Sequence, residues 1–429
     1  MAEIEISNEI MSIKSRQQMI RFLDGYSADR LEELDERKTR SPLVKSYMLE
    51  HVCDSGNLKT VQNILNYRGI HSIQIDDNLF KLHGTEKNDR KELFMGFLET
   101  LTPRYFVFYS IHESQLSDRW IKKVVSDSPE LDHVWLSGLT FNVLWDRVVQ
   151  LNHPQRYARI MFQHDSIYQI DSEIELRDEA EEDDENPGKS VGDEEDTLEI
   201  IERRASKFTL VDKISVVHAR LKRLQEIYFP LYAISQLRFP SPVGNGGHDF
   251  YDYGKVTNRS DNFRDHRSHI IYIQRIYDTL MKMTENKIWF SLQKENIQTP
   301  GAFQKIIGSP LSIKFKEPLN KETFDYWIKS TFGRTRNRFR LWGNPIRLGP
   351  VKVHVYGVDR HLWQPIFMEI TDKHLTAIIP KGTCGNTVHR LVTNIQRFID
   401  PAAEVYIGDM KYNDMVNESS GGVRYESSN

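Results

Sequence analysis

The chain has 429 residues, of which 39% are hydrophobic and 11% aromatic, and this composition allows two or three domains with apolar cores. It excludes a fully disordered protein, and no stretch approaches the roughly 18 apolar residues of a membrane span, so we expect no membrane partner. The N-terminus lacks a basic start followed by an apolar run, and Cys53 and Cys384 provide neither a disulfide framework nor a zinc motif. We therefore expect a cytoplasmic protein.

Charge is distributed unevenly along a chain whose formal net charge is only −4. The segment 171–199 holds fifteen Asp and Glu residues against two Lys and Arg, whereas 200–429 holds thirty-four Lys and Arg against twenty-two Asp and Glu. Clustered basic residues gain affinity for nucleic acid because they release its condensed counterions. The pattern therefore predicts a nucleic-acid partner for the C-terminal half.

Residues 1–70 are predicted to form a helical bundle. Apolar residues three or four apart indicate helices over 16–24, 29–37, 42–53 and 58–67. Such a bundle can dock a protein or bind DNA. Because the segment is not basic, we favour a protein partner bound through these N-terminal helices.

Residues 71–170 alternate between strand and helix patterns, which is typical of an α/β unit. Strands are predicted as a pair over 72–82 and singly over 105–111, 134–136 and 157–162. Helices are predicted over 91–101, 116–125 and 139–149.

The acidic segment 171–199 is predicted to be a disordered linker. It has almost no apolar residue between 178 and 196, so it cannot bury enough surface to offset the entropy of ordering.

The C-terminal half is predicted as a mixed α/β basic segment (200–310), an α+β basic domain (311–412) and a disordered tail (413–429). Strands are expected over 233–239, 288–292, 311–315, 351–358, 365–371, 375–379 and 404–407. Helices are expected over 213–227, 263–282, 321–332 and 387–398.

Alternation along 351–358 indicates a half-buried antiparallel sheet, because Val353 and Val355 alternate with His354 and Tyr356. The expected fold class is therefore α+β: an N-terminal helical bundle, an α/β unit, a disordered acidic linker, and a C-terminal half with a largely antiparallel sheet packed by helices.

The segment 329–347 holds five Arg and one Lys with no acidic residue. Guanidinium groups bind phosphate oxygens bidentately, and Phe339 or Trp342 could stack on an unpaired base. The alternative is a solvated loop whose aromatic side chains pack into the sheet. The candidate nucleic-acid contacts are Arg334, Arg336, Arg338, Arg340, Trp342 and Arg347.

The segment 381–390 lies between a predicted strand and a predicted helix. Its glycines permit close backbone approach, and the first turn of the helix favours an anion. Cys384 in this turn is a weak candidate nucleophile, because such a site can stabilise a thiolate. The alternative is a Gly-rich turn with a semi-buried thiol. The candidate nucleic-acid contacts are Lys381, Asn386, His389 and Arg390.

A nuclease is a weaker hypothesis. Such a site needs an acidic residue and a Glu-x-Lys pair on adjacent strands to hold Mg²⁺ or Mn²⁺. Asp359 and Glu369 lie on predicted strands, but Thr371 stands where lysine is required and Lys373 follows two residues later.

A metal site on the predicted helix 263–282 is weaker still. His266 and His269 lie one helical turn apart and could hold a metal if His248, Asp252 or Asp261 completed the ligand set. The default is a polar, basic helix face.

The sequence thus favours non-catalytic nucleic-acid binding without a cofactor, as one subunit of a larger intracellular complex such as one for genome defence or nucleic-acid processing. The alternatives are a metal-dependent nuclease or other phosphoester hydrolase, and a scaffold that binds an acidic protein.

Deleting 178–196 should tighten nucleic-acid binding, because a tethered acidic segment competes for the basic half at an effective concentration of roughly millimolar order. Fluorescence anisotropy at low salt, with and without the segment, measures the effect. Equal affinities would show that the segment is a passive linker.

Overall fold

A computed structural model describes residues 9–35, 41–51, 65, 70–85, 92–169, 206–228, 231–294, 304–333 and 337–426. Within these ranges, two large, mainly antiparallel sheets and the helices around them form a mixed α+β fold, which confirms the predicted class. The predicted linker, 171–199, lies outside the described residues, as do Arg334 and Arg336. No helix in these ranges is long and apolar enough to cross a bilayer.

The strands are β1 (Lys45–His51), β2 (Ile70–Asp76), β3 (Leu79–Thr85), β4 (Glu92–Thr100), β5 (Tyr105–Ser110), β6 (Leu131–His133), β7 (Tyr157–His164), β8 (Ser206–Lys213), β9 (Ile234–Pro240), β10 (Gly247–Tyr251), β11 (Lys255–Asn258), β12 (Trp289–Lys294), β13 (Gln304–Ile307), β14 (Leu311–Lys314), β15 (Leu341–Gly349), β16 (Lys352–Asp359), β17 (Gln364–Thr371), β18 (His374–Pro380), β19 (Glu404–Ile407) and β20 (Met410–Lys411). The longer helices are α1 (Arg16–Asp35), α2 (Ser114–Asp127), α3 (Gly138–Leu151), α4 (Ile214–Ile227), α5 (Phe263–Ile288), α6 (Lys321–Phe332), α7 (Asn386–Phe398) and α8 (Tyr412–Gly421).

The first sheet has the strand order β2-β3-β4-β5-β1-β11-β10-β9-β7-β8, with β6 also paired to β1. Strand β1 lies between β5 and β11, and β7 lies between β8 and β9, all antiparallel. The sheet therefore combines strands from both sides of the acidic segment. Residues 71–170 and 200–310 are not separate units, because they share this sheet.

The predicted N-terminal helical bundle is wrong. The segment 42–53 forms β1 instead of a helix, and the predicted helix 91–101 is likewise strand β4. All seven residues of β1 are buried, so the strand lacks the alternation that distinguishes strand from helix. One helix, α1, replaces the two predicted over 16–37, and most of the predicted helix 58–67 lies outside the described residues.

The second sheet has the strand order β15-β16-β17-β18-β14-β19-β20. These neighbours are antiparallel, whereas β12 joins β18 in parallel and pairs with β13. The predicted alternation is confirmed, because Val353 and Val355 are buried and Tyr356 on the other face is 59% exposed. Helices α6 and α7 contribute to the core beneath the buried face.

Helix α5 contributes to both cores, with Ile273 in the core of the first sheet and Ile288 in that of the second. The predicted disordered tail, 413–429, is wrong over its described part. Helix α8 buries Met415 and Val416, and the ring of Tyr425 lies 4.9 Å from that of His269. Three apolar anchors thus order a segment whose composition otherwise resembles that of a tail.

Candidate functional site

The second sheet leaves one of its faces open to solvent, and an apolar strip crosses that face. Tyr356 pairs with Phe367 across β16 and β17, and Phe367 pairs with Ile378 across β17 and β18. Trp342 lies on the neighbouring strand β15, diagonal to Tyr356. We call these four residues the apolar strip. Their exposed fractions are 52% for Trp342, 59% for Tyr356, and 39% for Phe367 and for Ile378.

A basic strip runs beside the apolar strip on the same face. It consists of Lys314, Lys352, His354 and His374. Along β16, His354 lies two residues from Tyr356 and Lys352 lies four, distances of about 6.6 Å and about 13 Å, because alternate residues of a strand share a face. Monomeric proteins seldom expose contiguous apolar surface beside charge unless it binds something.

Two acidic side chains lie among these basic residues: Glu369, and the exposed Glu404, which pairs with Lys314 across β14 and β19. Glu369 Oε2 lies 2.8 Å from both Lys352 Nζ and His354 Nε2. Hydrogen bonds from Lys352 and His354 lower the pKa of Glu369 to about 2. Glu369 is therefore ionised at neutral pH, and it neutralises part of the basic strip.

Beneath the opposite face, Arg390 forms a buried ionic seat between the two sheets. Its side chain is fully buried on α7. Nη1 donates to Asp132 of β6, and Nη2 donates to both oxygens of Asp359 of β16 at 2.5 and 2.6 Å. Burial alone would raise the pKa of Asp132, but the guanidinium groups of Arg340 and Arg390 hold it well below its usual range. Asp132 thus remains ionised at neutral pH.

Four predicted nucleic-acid contacts lie in or beside this seat and cannot reach a phosphate: Arg340, Asn386, His389 and Arg390. Arg340 Nη1 donates to the carbonyl of Leu131 at 2.6 Å, and Asn386 Nδ2 donates to the carbonyl of His133 at 3.0 Å. Burial lowers the pKa of His389 to about 3. The predictions for these four residues are wrong, because their polar groups bind other parts of the protein.

The remaining predicted contacts have different surroundings. Trp342 is in the apolar strip and Lys381 is exposed, whereas Arg347 donates to Asp325 at 2.6 Å. The half-buried Arg338 has its guanidinium 5.1 Å from the centre of the Phe398 ring. Phe339 is 1% exposed. It therefore packs into the core, as the alternative interpretation of the segment 329–347 expects, and does not stack on a base.

Cys384 is not a nucleophile in this arrangement. It is 1% exposed, and its Sγ donates to Glu50 Oε1 at 3.4 Å. Burial raises the pKa of this thiol well above its usual range, and Glu50 adds to the effect. Arg104 opposes this rise, because its Nη2 also donates to the sulfur at 3.4 Å, but it is shared with Glu50 at 2.6 Å and Glu285 at 2.5 Å and does not overcome the effect of burial. Cys384 therefore stays protonated inside an ionic cluster.

The predicted nuclease site is also wrong. Asp359 faces the core and binds Arg390, whereas Glu369 lies on the opposite, open face of the sheet. Lys373 is exposed at the turn after β17. A metal ion cannot join two carboxylates from opposite faces of a sheet, so no step of metal-assisted hydrolysis follows from these residues.

His266 and His269 are buried on α5, and the structure brings His248 to them as the sequence suggested. His248 Nδ1 and His269 Nδ1 share a hydrogen bond of 2.7 Å, and His266 Nε2 shares one of 2.7 Å with Ser46. The described part of the chain contains no group of three or more His, Cys, Asp or Glu arranged to hold a metal ion. These imidazoles form a hydrogen-bonded histidine cluster.

The sequence analysis missed the apolar strip apart from Trp342. The sequence does contain a signal for these residues. Tyr356 lies on the polar side of an alternating strand, and Phe367 lies two residues before Glu369, on the same side of its strand. An aromatic residue at a solvent-facing position of such a strand suggests a binding surface.

The chain belongs to the MJECL33-like protein family, whose pattern it matches over residues 8–414. It is similar to an uncharacterized protein, MJECL33, of Methanocaldococcus jannaschii. The two are 23% identical over 336 residues, which cover 75% of this chain and 77% of that protein. No solved structure matches the chain. Neither name states an activity, so a functional proposal rests on the geometry.

Replacing Arg390 with Ala should lower the free energy of unfolding by about 3–5 kcal/mol, because Asp132 and Asp359 are left as buried, partly uncompensated charges. Urea denaturation measures the loss. The control is Arg347→Ala, which removes an exposed ion pair and should cost about 1 kcal/mol or less. Equal losses would contradict the role of the ionic seat.

Stability should fall steeply in acid because of the histidine cluster. Burial lowers the pKa of His266 to about 3 and holds those of His248 and His269 well below 6.5. The unfolded chain therefore binds protons first as pH falls below 6.5, and each histidine costs roughly 2 kcal/mol of stability at pH 5.

Thermal melts between pH 7.5 and 4.5 test this. His266→Asn should reduce the loss of stability at acid pH by the contribution of one histidine. The exposed His71→Gln is the control and should leave the slope unchanged. An unchanged slope for His266→Asn would rule out the cluster as a source of acid sensitivity.

Proposed function

We propose that this protein binds nucleic acid, without catalysis, through the open face of the second sheet. The observation that carries the proposal is the adjacency of the apolar strip and the basic strip on one exposed face. Lysines supply attraction to phosphates through counterion release, and aromatic rings supply contact area to bases.

The proposal includes a place in a larger cytoplasmic complex, such as one for genome defence or nucleic-acid processing. Apolar side chains elsewhere on the surface support a protein partner. Leu292 and Ile306 pair across the β12–β13 hairpin and are 64% and 65% exposed. A hairpin that presents such a pair provides a docking surface separate from the open face.

The second candidate function is a scaffold that binds an acidic protein at the open face. Ile346 and Leu348 favour it, because these aliphatic side chains on β15 are 45% and 55% exposed and cannot stack on bases. A protein partner would use their apolar area, whereas nucleic acid would gain little from it.

Binding of the full chain to a labelled oligonucleotide, measured by anisotropy at several salt concentrations, tests the proposal. The logarithm of affinity should fall linearly with the logarithm of salt concentration, with a slope of roughly 0.7 to 0.9 for each phosphate contact. An absence of binding at low salt would contradict the proposal that the protein binds nucleic acid.

Replacing Glu369 with Gln should tighten binding about two- to fivefold, because the change removes a negative charge and releases Lys352 and His354. The matched control is Glu226→Gln, the same change of charge on exposed α4. Equal gains in affinity for both variants would show that binding depends on the overall charge of the protein and not on the open face.

The same variant tests the nuclease alternative. A nuclease would lose magnesium- or manganese-dependent cleavage on Glu369→Gln, whereas our proposal expects no cleavage in either protein.

A further inference from the structure

We infer that the nucleic acid is single-stranded, with its bases on the apolar strip and its phosphates along the basic strip. This inference rests on the proposed function, which would stand without it if the partner were a duplex.

The apolar strip presents ring surface that only unpaired bases can use. Tyr356 and Phe367 are partly exposed neighbours, with ring centres 5.8 Å apart and planes at 79°. Bases within a duplex are already stacked on each other, so protein rings cannot reach their faces. Trp342 extends the strip to the edge strand. These side chains would contribute little to a duplex, although they form a continuous row from the edge strand inward.

A second, independent observation lies in the turn between β16 and β17. Leu362 and Trp363 have φ angles of 65° and 53°, in the left-handed region that non-glycine residues seldom adopt. Trp363 is nevertheless 56% exposed, so its indole does not offset this backbone cost by burial. Strained residues held by their surroundings cluster at binding sites.

The surroundings that hold this turn are specific. Leu362 N donates to the carbonyl of Pro129 at 3.0 Å, and His361 N donates to Asp359 Oδ1 at 2.9 Å. Asp359 is in turn the partner of Arg390. The buried ionic seat therefore fixes the turn that carries the exposed Trp363.

The spacing of the two strips suits a single strand. Tyr356 is about 6.6 Å from His354 and about 13 Å from Lys352, so a strand lying across β16 can place a base over Tyr356 while its backbone passes His354 within reach of the long Lys352 side chain. A duplex is read when a helix or a two-stranded ribbon enters its major groove. The open face is instead the flat side of a sheet of several strands, and it contacts a duplex only along phosphates.

Anisotropy with the full chain and four probes tests the inference: oligothymidylate, oligouridylate, and a mixed-sequence DNA as single strand and as duplex. We expect both single-stranded homopolymers to bind and the mixed single strand to bind more tightly than its duplex at equal salt. The two homopolymers compare DNA with RNA. Because both are single-stranded, a preference for one over the other does not affect the inference.

Variants then separate stacking from charge. Trp342→Ala and Tyr356→Ala should each weaken single-strand binding roughly 5- to 150-fold without changing the salt slope. Lys314→Gln and Lys352→Gln should each reduce the slope by roughly 0.7. The control is Tyr157→Ala, because Tyr157 is an aromatic residue 62% exposed on the first sheet. Thermal melts of every variant identify losses caused by misfolding.

A measurement on the unmodified protein supports the variants. Trp342 and Trp363 are more than half exposed, whereas Trp327 and Trp145 are 1% and 2% exposed. Saturating oligothymidylate should therefore protect tryptophan fluorescence from acrylamide, because it covers the exposed indoles.

The outcomes distinguish the inference from the proposed function. Tighter duplex binding with a slope that the lysine variants reduce would overturn the single strand and leave nucleic-acid binding standing. Aromatic variants that behave like Tyr157→Ala, with no protection from acrylamide, would also overturn it. An absence of binding to every probe at low salt would overturn both, and capture of an acidic protein by the open face would then favour the scaffold.

Discussion

The fully buried guanidinium of Arg390 constrains the rest of the structure. An isolated charge at such a position would be very costly, so the fold must bring carboxylates to it. Asp132 comes from β6 beside the first sheet, and Asp359 comes from β16 of the second. Because both sheets contribute a partner, the seat fixes the face that the second sheet turns inward, and the opposite face is left to solvent.

Asp359 connects this interior to the surface. It accepts from Arg390 on one side and from the backbone of His361 on the other, and the chain reaches the exposed Trp363 two residues later. The alternation of β16 then places Tyr356 and His354 on the open side. Stability and the proposed binding surface therefore share one strand whose two faces have different chemistry.

The sequence predicts the second sheet well, because its strands are covered on one side and alternate, as at Val353 and Val355. It fails at β1, where burial on both faces removes the alternation. It also assigns Arg390 to the surface by charge alone. Its partner Asp132 lies 258 residues away in the sequence, and local sequence patterns do not reveal contacts between residues so far apart. Trp342 was found because it lies among arginines, whereas Phe367 lacks basic neighbours in sequence and was missed.

Photo-cross-linking can show whether nucleic acid lies on the open face. Ultraviolet irradiation of the full chain with a single-stranded oligonucleotide, followed by peptide mapping, locates the contact without changing the protein. We expect cross-links within β15, β16 and β17, at Trp342, Tyr356 or Phe367. Cross-links confined to the first sheet, for example near the exposed Phe208 of β8, would contradict it.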